Sequence, residues 1–363
     1  MASILINVLK KESFEFCQMN DYQHLLQSIA KTIEDYRQGE IAPMTSNHVD
    51  RWVCQFEESD RLTILREMEQ ILKKYYVSRQ TAKNIITRAL TSKKIFGSNP
   101  RQVVPQTKFL NIQRKGNSQN DLLVLANEVT QSKYGISIQD CGKSPIAYVY
   151  LDDCLYSGNT ALYDLKEWLP NAIRGTPLYL IFLAVHTSGI DYLKKRFNFE
   201  AQRYSLSVDY KKWYEFHNLP SQPEKFDCLW PTEVRGNQLV DAYIKKVMAL
   251  SQEKQINPRL FRKVPTQRGI FSSLAARDVV ERAFLKAGAY IVSLPKTPKF
   301  QMRPLGYEYL ESLGFGAVFI TYRNIANNCP LALWWGDSSF PQSHPFSKWY
   351  PLFLRKTNES QNI

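Results

Sequence analysis

No stretch of this 363-residue chain reaches the ~18 consecutive apolar residues that a membrane-spanning helix requires. The opening Met-Ala-Ser-Ile-Leu-Ile-Asn-Val-Leu-Lys-Lys holds too short an apolar run for a signal-peptide core, and charge follows at once. The six cysteines, Cys17, Cys54, Cys141, Cys154, Cys228 and Cys329, are scattered, without CxxC or any metal-type spacing. Internal repeats and low-complexity segments are missing too. These absences lead to the expectation of a cytoplasmic protein with reduced thiols and no membrane partner.

What is present is ordinary in bulk and unusual in charge. Hydrophobic residues make up 44% and charged residues 22%, as in a globular protein. The length favours two or three packed units. Lys+Arg outnumber Asp+Glu by 47 to 34, a net +13. That sign suits polyanions such as nucleic acid, nucleotides or pyrophosphate. A solvated basic surface fits it equally, because no long basic run or RNA-binding signature accompanies it.

The patterning divides the chain into a helical N-terminal region (1–100), an α/β core (101–250) and an α+β cap (251–363). Leu65, Met68, Ile71, Leu72 and Tyr75 repeat at helical spacing behind a cap at Asp60, and a second helix starts at Ser78. Strands are expected at Lys108–Gln113, Ile136–Ile138, Ile146–Leu151, Leu178–Val185 and near Arg203–Val208. Helices are expected at 118–132, 160–169, 189–196 and 236–250. This alternation predicts an α/β fold, a mostly parallel sheet with helices on both faces. The runs Ala147–Leu151 and Leu178–Ala184 suit strands buried on both sides. Beyond residue 251 a helix over 273–287 and strands near 289–293, 316–322 and 331–335 are expected.

One stretch carries the chemistry: Ile-Ala-Tyr-Val-Tyr-Leu-Asp-Asp-Cys-Leu-Tyr-Ser-Gly-Asn-Thr, residues 146–160. Ligands of open parallel sheets collect at the carboxyl ends of strands, where Asp152 and Asp153 are expected. Ionised carboxylates only accept hydrogen bonds, so an adjacent pair matches a vicinal diol. Ser157, Gly158, Asn159 and Thr160 then open a helix whose N–H groups and dipole favour a phosphate. Gly158 lets the backbone close on it. Together these residues match a ribose 5-phosphate lying across the strand end. A strand-end acid pair with structural capping would give the same letters.

The pattern of apolar strand, Asp-Asp, three residues and Ser-Gly-x-Thr resembles the phosphoribosyl-pyrophosphate (PRPP) loop of type I phosphoribosyltransferases. The resemblance implies that Asp152 and Asp153 hold the ribose hydroxyls and a Mg²⁺ ion, and that residues 157–160 hold the 5-phosphate. Arg114-Lys115-Gly116-Asn117-Ser118, one strand-helix unit earlier, is similar to the pyrophosphate loop of that family. Arg114 and Lys115 would then stabilise the leaving charge and Gly116 permit close approach; alone, such a turn is simply solvated.

The wider chain resembles the phosphoribosyltransferase-like effector domains of prokaryotic conflict systems, including those beside retron reverse transcriptases. The matching segments are Arg51 to Phe56, Lys115 to Gln119, the Asp-Asp site, Arg303 to Gly306, Gly314 to Gly316, Asn324 to Leu331, Trp334-Trp335 and Trp349 to Phe353. The resemblance implies a glycosyltransferase acting on PRPP, or on a related ribosyl phosphate such as NAD. It further implies a nucleobase, nucleotide or RNA acceptor, and a defence-system protein or nucleoprotein partner.

Type I enzymes carry a long closing loop before the PRPP-loop strand, whereas only Gln131 to Pro145 is available here. The insert 210–230 (Lys211, Lys212, Trp213, Tyr214, His217) and the aromatic tail are the candidates to close the site. In that tail Trp334, Trp335, Trp349 and Tyr350 could stack a base, and Asn324, Asn327, Asn328 and Asp337 could read its edge; core and turn roles are the competing assignment. His186 could meet phosphate or be a loop histidine, and Arg303 and Arg355 could meet phosphate or be surface charge. The alternatives to an enzyme are an inactive nucleotide-sensing regulator and a nucleic-acid or complex-binding module.

Overall fold

The two longest apolar runs form the middle of a four-stranded parallel sheet. The computed structural model describes residues 19–114, 116–262 and 267–356. Its elements begin with the helices α1 (residues 19–32), α2 (Ser46–Val53), α3 (Glu58–Tyr75), α4 (Arg79–Leu90), α5 (Lys93–Phe96) and α6 (Pro100–Val103). Strand and helix then alternate as β1 (Thr107–Phe109), α7 (Ser118–Tyr134), β2 (Ala147–Leu155), α8 (Asn159–Trp168), β3 (Leu178–His186), α9 (Thr187–Arg203) and β4 (Val208–Phe216). The remainder holds α10 (Gln238–Glu253), α11 (Leu274–Ser293), β5 (Ile320–Thr321), β6 (Asn324–Ile325) and α12 (Leu331–Trp334).

These elements form two compact units, one spanning Val77–Asp227 and the other joining the chain up to Tyr76 with Cys228–Lys356. The cuts fall near 76 and 227, where the sequence pattern suggested 100 and 250. Among the described residues no helix is long and apolar enough to cross a membrane.

In the first unit the strands run in the order β1-β2-β3-β4, all parallel. Successive side chains of a strand alternate between faces. Tyr148, Tyr150, Leu178, Leu180 and Phe182 therefore share one face, where they pack on Leu162 and Leu165 of α8 and on Ile190, Leu193 and Phe197 of α9. Tyr179 points to the other face and meets the ring of Phe96 at 5.2 Å. There α4 and α7 pack on each other and reach β3 and β2. The expected α/β layering with helices on both faces is what the structure shows. Ser78 caps α4 by accepting the N–H of Thr81 at 3.1 Å.

Several expected boundaries move, each for a local reason. β1 ends at Phe109 instead of Gln113: the Leu110 N–H still donates to the Val149 carbonyl, but the side chain of Gln119 takes the donors of Ile112 and Gln113, as described below. Ile136–Ile138 is not a strand. Gly135 ends α7 in the left-handed region (φ 69°), and Asn127 Oδ1 then accepts the Ser137 hydroxyl and the Ile138 N–H, both at 3.1 Å, folding the segment back. α9 runs on to Arg203 and turns through Ser205 (φ 57°), so the last strand is Val208–Phe216, not Arg203–Val208. Lys211, Lys212, Trp213 and Tyr214 are thus strand residues rather than an insert, and His217 follows the strand directly.

In the second unit α11 absorbs the strand expected at 289–293, since Val280, Ala283, Phe284, Ala287 and Ile291 continue one buried helical stripe. The strand expected at 316–322 shrinks to the β5-β6 hairpin, and 331–335 coils as α12. Asp60 lies in the first turn of α3, and the cap position is Glu57. Three tryptophans of the aromatic tail are core, Trp334, Trp335 and Trp349 being 6%, 4% and 5% exposed, while Tyr350 is half-buried. The indole N–H groups of Trp52 and Trp349 both donate to the carbonyl of Ala332, at 2.8 and 3.0 Å. Asn324 spends its side chain on the backbone of Lys356. Arg303 is buried and paired with Glu311 at 3.0 Å. At the centre the buried Glu281 accepts from Arg262, from Arg277 (2.9 Å) and from the Trp230 N–H (2.8 Å).

Candidate functional site

β2 continues past β1. Val149 is its last residue paired with β1, yet the strand holds its register with β3 through Leu155, pairing Asp152 with Phe182. The expected strand stopped at Leu151; the real one carries both aspartates inside it, along the margin that β1 leaves uncovered. Pairing with β3 holds the acidic residues extended, which their low strand propensity alone would not.

The two carboxylates are not equivalent. Asp152 is 7% exposed and Asp153 half-buried. Asp152 Oδ1 accepts the Ser118 hydroxyl at 2.6 Å and the Asp153 N–H at 2.9 Å. Its Oδ2 accepts the Tyr150 hydroxyl at 3.3 Å. Burial and the neighbouring carboxylates push the Tyr150 phenol well above its ordinary pKa, so it stays a proton donor. Asp153 Oδ1 accepts the Cys154 N–H at 2.7 Å. Asp153 is the more accessible acid, and Asp152 the more firmly held.

Ser118 opens α7, and two glutamines shape the turn before it. Gln119 Oε1 accepts the N–H groups of Ile112 (2.5 Å) and Gln113 (2.9 Å), while its Nε2 donates to the carbonyl of Leu151 at 3.3 Å. Gln113 Oε1 accepts the Gln119 N–H at 2.9 Å, and its Nε2 donates to Ser118 Oγ at 2.8 Å. The expected pyrophosphate turn is thereby tied to the acidic strand. Gly116 adopts φ 96° within it, a conformation that costs other residues dearly. Lys115 lies outside the described residues.

Arg114 is exposed, and its guanidinium pairs with Glu167 of α8. Its backbone N–H donates to Asp164 Oδ1 at 3.4 Å. Asp164 is 4% exposed, and its Oδ2 has no hydrogen-bond partner. Burial raises its pKa, against the Arg114 N–H and charge, which lower it. Its signal in the sequence was a carboxylate on the apolar stripe Ala161, Leu162, Leu165. Gln113 had no comparable signal, whereas Ser118, Gln119 and Tyr150 stood within segments already singled out.

Ser157, Asn159 and Thr160 are exposed, and Gly158 is buried. α8 begins at Asn159 with no side-chain cap, leaving its first-turn N–H groups at the same end of the sheet as the acids. Gly158 has φ 78°, and a Cβ there would stand 2.6 Å from the carbonyl oxygen of Gly189 in α9. Its glycine is demanded by helix packing, whatever it also does for a ligand. His186 is not in a loop: it is fully buried at the end of β3, stacked between Tyr156 (5.1 Å) and Phe216 (5.3 Å), with Nδ1 3.7 Å from Cys154 Sγ. Burial pushes its pKa down to about 3, so the ring is neutral and is not a phosphate contact.

Among the described residues no group of three or more His, Cys, Asp or Glu could hold a metal. A Mg²⁺ ion here would draw on Asp152 and Asp153, and for the rest on water and the oxygens of a polyphosphate. Mg²⁺ commonly binds in that way, and the half-buried Asp153 is the more accessible of the two acids.

A parallel sheet with helices on both faces, an acid-bearing strand and two helix-initiating loops at one end define a phosphoribosyltransferase-like α/β protein. The chain belongs to the PRTase-CE family, whose model matches residues 49–355. No curated protein and no solved structure gives a significant match.

Proposed function

We propose that the unit Val77–Asp227 binds a 5-phosphorylated ribosyl donor, PRPP or a relative such as NAD, with Mg²⁺ and acts at C1 of the ribose. The observation that carries this reading is the 2.6 Å bond from Ser118 Oγ to Asp152 Oδ1. It joins the start of α7, where pyrophosphate is expected, to the strand whose acids suit the diol, beside the uncapped start of α8.

Asp153, with Asp152 behind it, accepts the donor's hydroxyls. The amides of Asn159 and Thr160 and the hydroxyls of Ser157 and Thr160 hold the 5-phosphate. Asp152 and Asp153 would hold Mg²⁺, directly or through water, and the ion would supply charge neutralisation for the pyrophosphate. With PRPP the C1–O bond breaks with its electron pair leaving on pyrophosphate, and with NAD the C1–N bond breaks with its pair leaving on nicotinamide. An acceptor atom or water attacks C1 from the other face and loses its proton to solvent or to the departing pyrophosphate. Arg114 must leave Glu167 to meet the departing charge, and that exchange is easy because an exposed pair is worth little. An oxocarbenium-like centre needs positioning and charge more than a protein nucleophile.

An effector role in antiviral defence, implied by the resemblance, is the setting we assign to this chemistry. The second reading, a nucleotide sensor without turnover, is favoured by the burial of Asp152 and the hydroxyl bonds on both its oxygens. Calorimetric titration with PRPP and with NAD, with and without Mg²⁺, followed by assays of pyrophosphate and nicotinamide release, tests both. Binding with release supports the enzyme and binding without release the sensor. Absence of binding overturns both.

A further inference from the structure

α9 buries Thr187, Ile190, Leu193, Phe197 and Ala201 on one side. On the other, Tyr192, Arg196, Phe199 and Arg203 are all exposed. Their spacing of four, three and four residues places them in one line along the helix, so aromatic and arginine alternate over ~16 Å. Phe199 is 68% exposed and Tyr192 36%, which a merely solvated helix face does not require. The guanidinium of Arg196 lies 6.0 Å from the Tyr192 ring centroid. At the Tyr192 end the line reaches the loop at Gly158, whose Cβ would stand 3.4 Å from that ring.

At its other end the line runs into a cavity of about 310 Å³ lined by Lys166, Leu169, Arg174, Glu200, Arg203 and Tyr204. Lys166 and Arg203 both pair with Glu200, at 3.0 and 3.4 Å. Arg174 donates to the carbonyl of Arg203 at 2.9 Å. Two cations therefore pair with the one carboxylate while Arg174 lines the same cavity, and the concavity is electropositive.

We propose that this face of α9 docks single-stranded nucleic acid, its bases against Tyr192 and Phe199 and its phosphates against Arg196, Arg203 and the Lys166–Arg174 cavity. Alternating rings and guanidinium groups match a polymer in which bases and phosphates alternate, and aromatic side chains stack only on bases that are free of a duplex. An acidic peptide would leave the rings unused. An anionic lipid surface would call for a contiguous apolar patch, where here single rings are separated by arginines. The net charge of +13 agrees in sign. The docking face stands whether or not ribosyl chemistry occurs at β2.

Fluorescence anisotropy of the full chain with a short labelled single strand of mixed sequence, as DNA and as RNA, tests this over a series of salt concentrations. The expected result is binding whose affinity falls steeply with salt. Phe199→Ala should weaken it about tenfold, and Arg196→Ala and Arg203→Ala should each lower the salt slope by about one. Circular dichroism spectra of the three variants should match the parent. The proposal is overturned if the parent protein does not bind at low salt, or if Phe199→Ala binds like the parent. Equal affinity for a duplex, competition by polyglutamate as effective as by unlabelled strand, or binding to anionic vesicles alone would overturn it as well.

Discussion

Gly158 and Gly189 approach so closely that neither position has room for a side chain. A Cβ on Gly158 would stand 2.6 Å from the Gly189 carbonyl oxygen, and a Cβ on Gly189 would stand 2.1 Å from the carbonyl oxygen of Tyr156. The loop at the start of α8 is thus braced against the first turn of α9. Gly189→Ala should lower the stability by about 2–3 kcal/mol, since the clash is with backbone that cannot rotate away. Gly158→Ala adds the cost of a left-handed Cβ, about 1–2 kcal/mol. Urea denaturation without ligand checks both, and an unchanged midpoint would contradict the packing role.

Ser118→Ala removes the donor to Asp152 and the acceptor for Gln113 Nε2. A loss of about 1–2 kcal/mol in stability is expected. Donor binding should weaken too, because the turn at 114–118 is no longer tied to the acids. Thermal melts and calorimetry on the same sample measure the two effects, and Ser118→Thr should rescue part of both.

The acid pair should separate by substitution. Asp153→Asn is expected to abolish donor binding with a small change in melting temperature, as the residue is half-buried. Asp152→Asn should also cost stability, because the new amide group faces the hydroxyl donors of Ser118 or Tyr150. A melt of Asp152→Asn identical to the parent would show that its hydrogen bonds add nothing to the fold.

Two buried groups set opposite slopes of stability against pH. Burial raises the pKa of Asp164, so the folded state binds more protons than the unfolded one from about pH 4 upward. Stability from this group is present at low pH and is lost as pH rises through its folded pKa. Asp164→Asn should therefore melt at or above the parent temperature at about pH 7, and the advantage should shrink toward about pH 4.

His186 acts the other way. Its folded pKa of about 3 lies below the usual ~6.5, so the unfolded state binds more protons in between. Its contribution is present above the unfolded value and is lost as pH falls. The groups facing it include Tyr156, Phe216, Cys154 and the backbone of Leu155. His186→Phe should flatten the stability curve between about pH 4 and 6.5, as followed by chemical denaturation at each pH. A slope identical to the parent's would remove the assignment.

Much of the fold can be read from local pattern. The runs at 147–151 and 178–184 are uniformly apolar, as strands covered on both faces must be. The helices α3, α4, α7, α8 and α10 follow the spacing of their apolar residues, and the Ser78 cap was visible in its own letters. The Asp-Asp and Ser-Gly-Asn-Thr elements stood out because strand, acids, glycine and helix succeed one another within fifteen residues, 146–160. Those features depend on neighbours in the chain, and the sequence by itself determined them.

Other features arise from residues far apart, which no local window contains. Pairing with β3 carried β2 through its two aspartates, although isolated acids favour ending a strand. The glutamine side chain at 119 took the backbone donors of Ile112 and Gln113 that would have lengthened β1. The histidine at 186 became a neutral core ring because Tyr156 and Phe216 closed on it from other segments. Trp334, Trp335 and Trp349 entered the interior with α12 and the tail. Tertiary structure decided these points, since burial and hydrogen-bond partners are properties of the assembled fold, and the same letters placed in water would keep their charges and exposed rings.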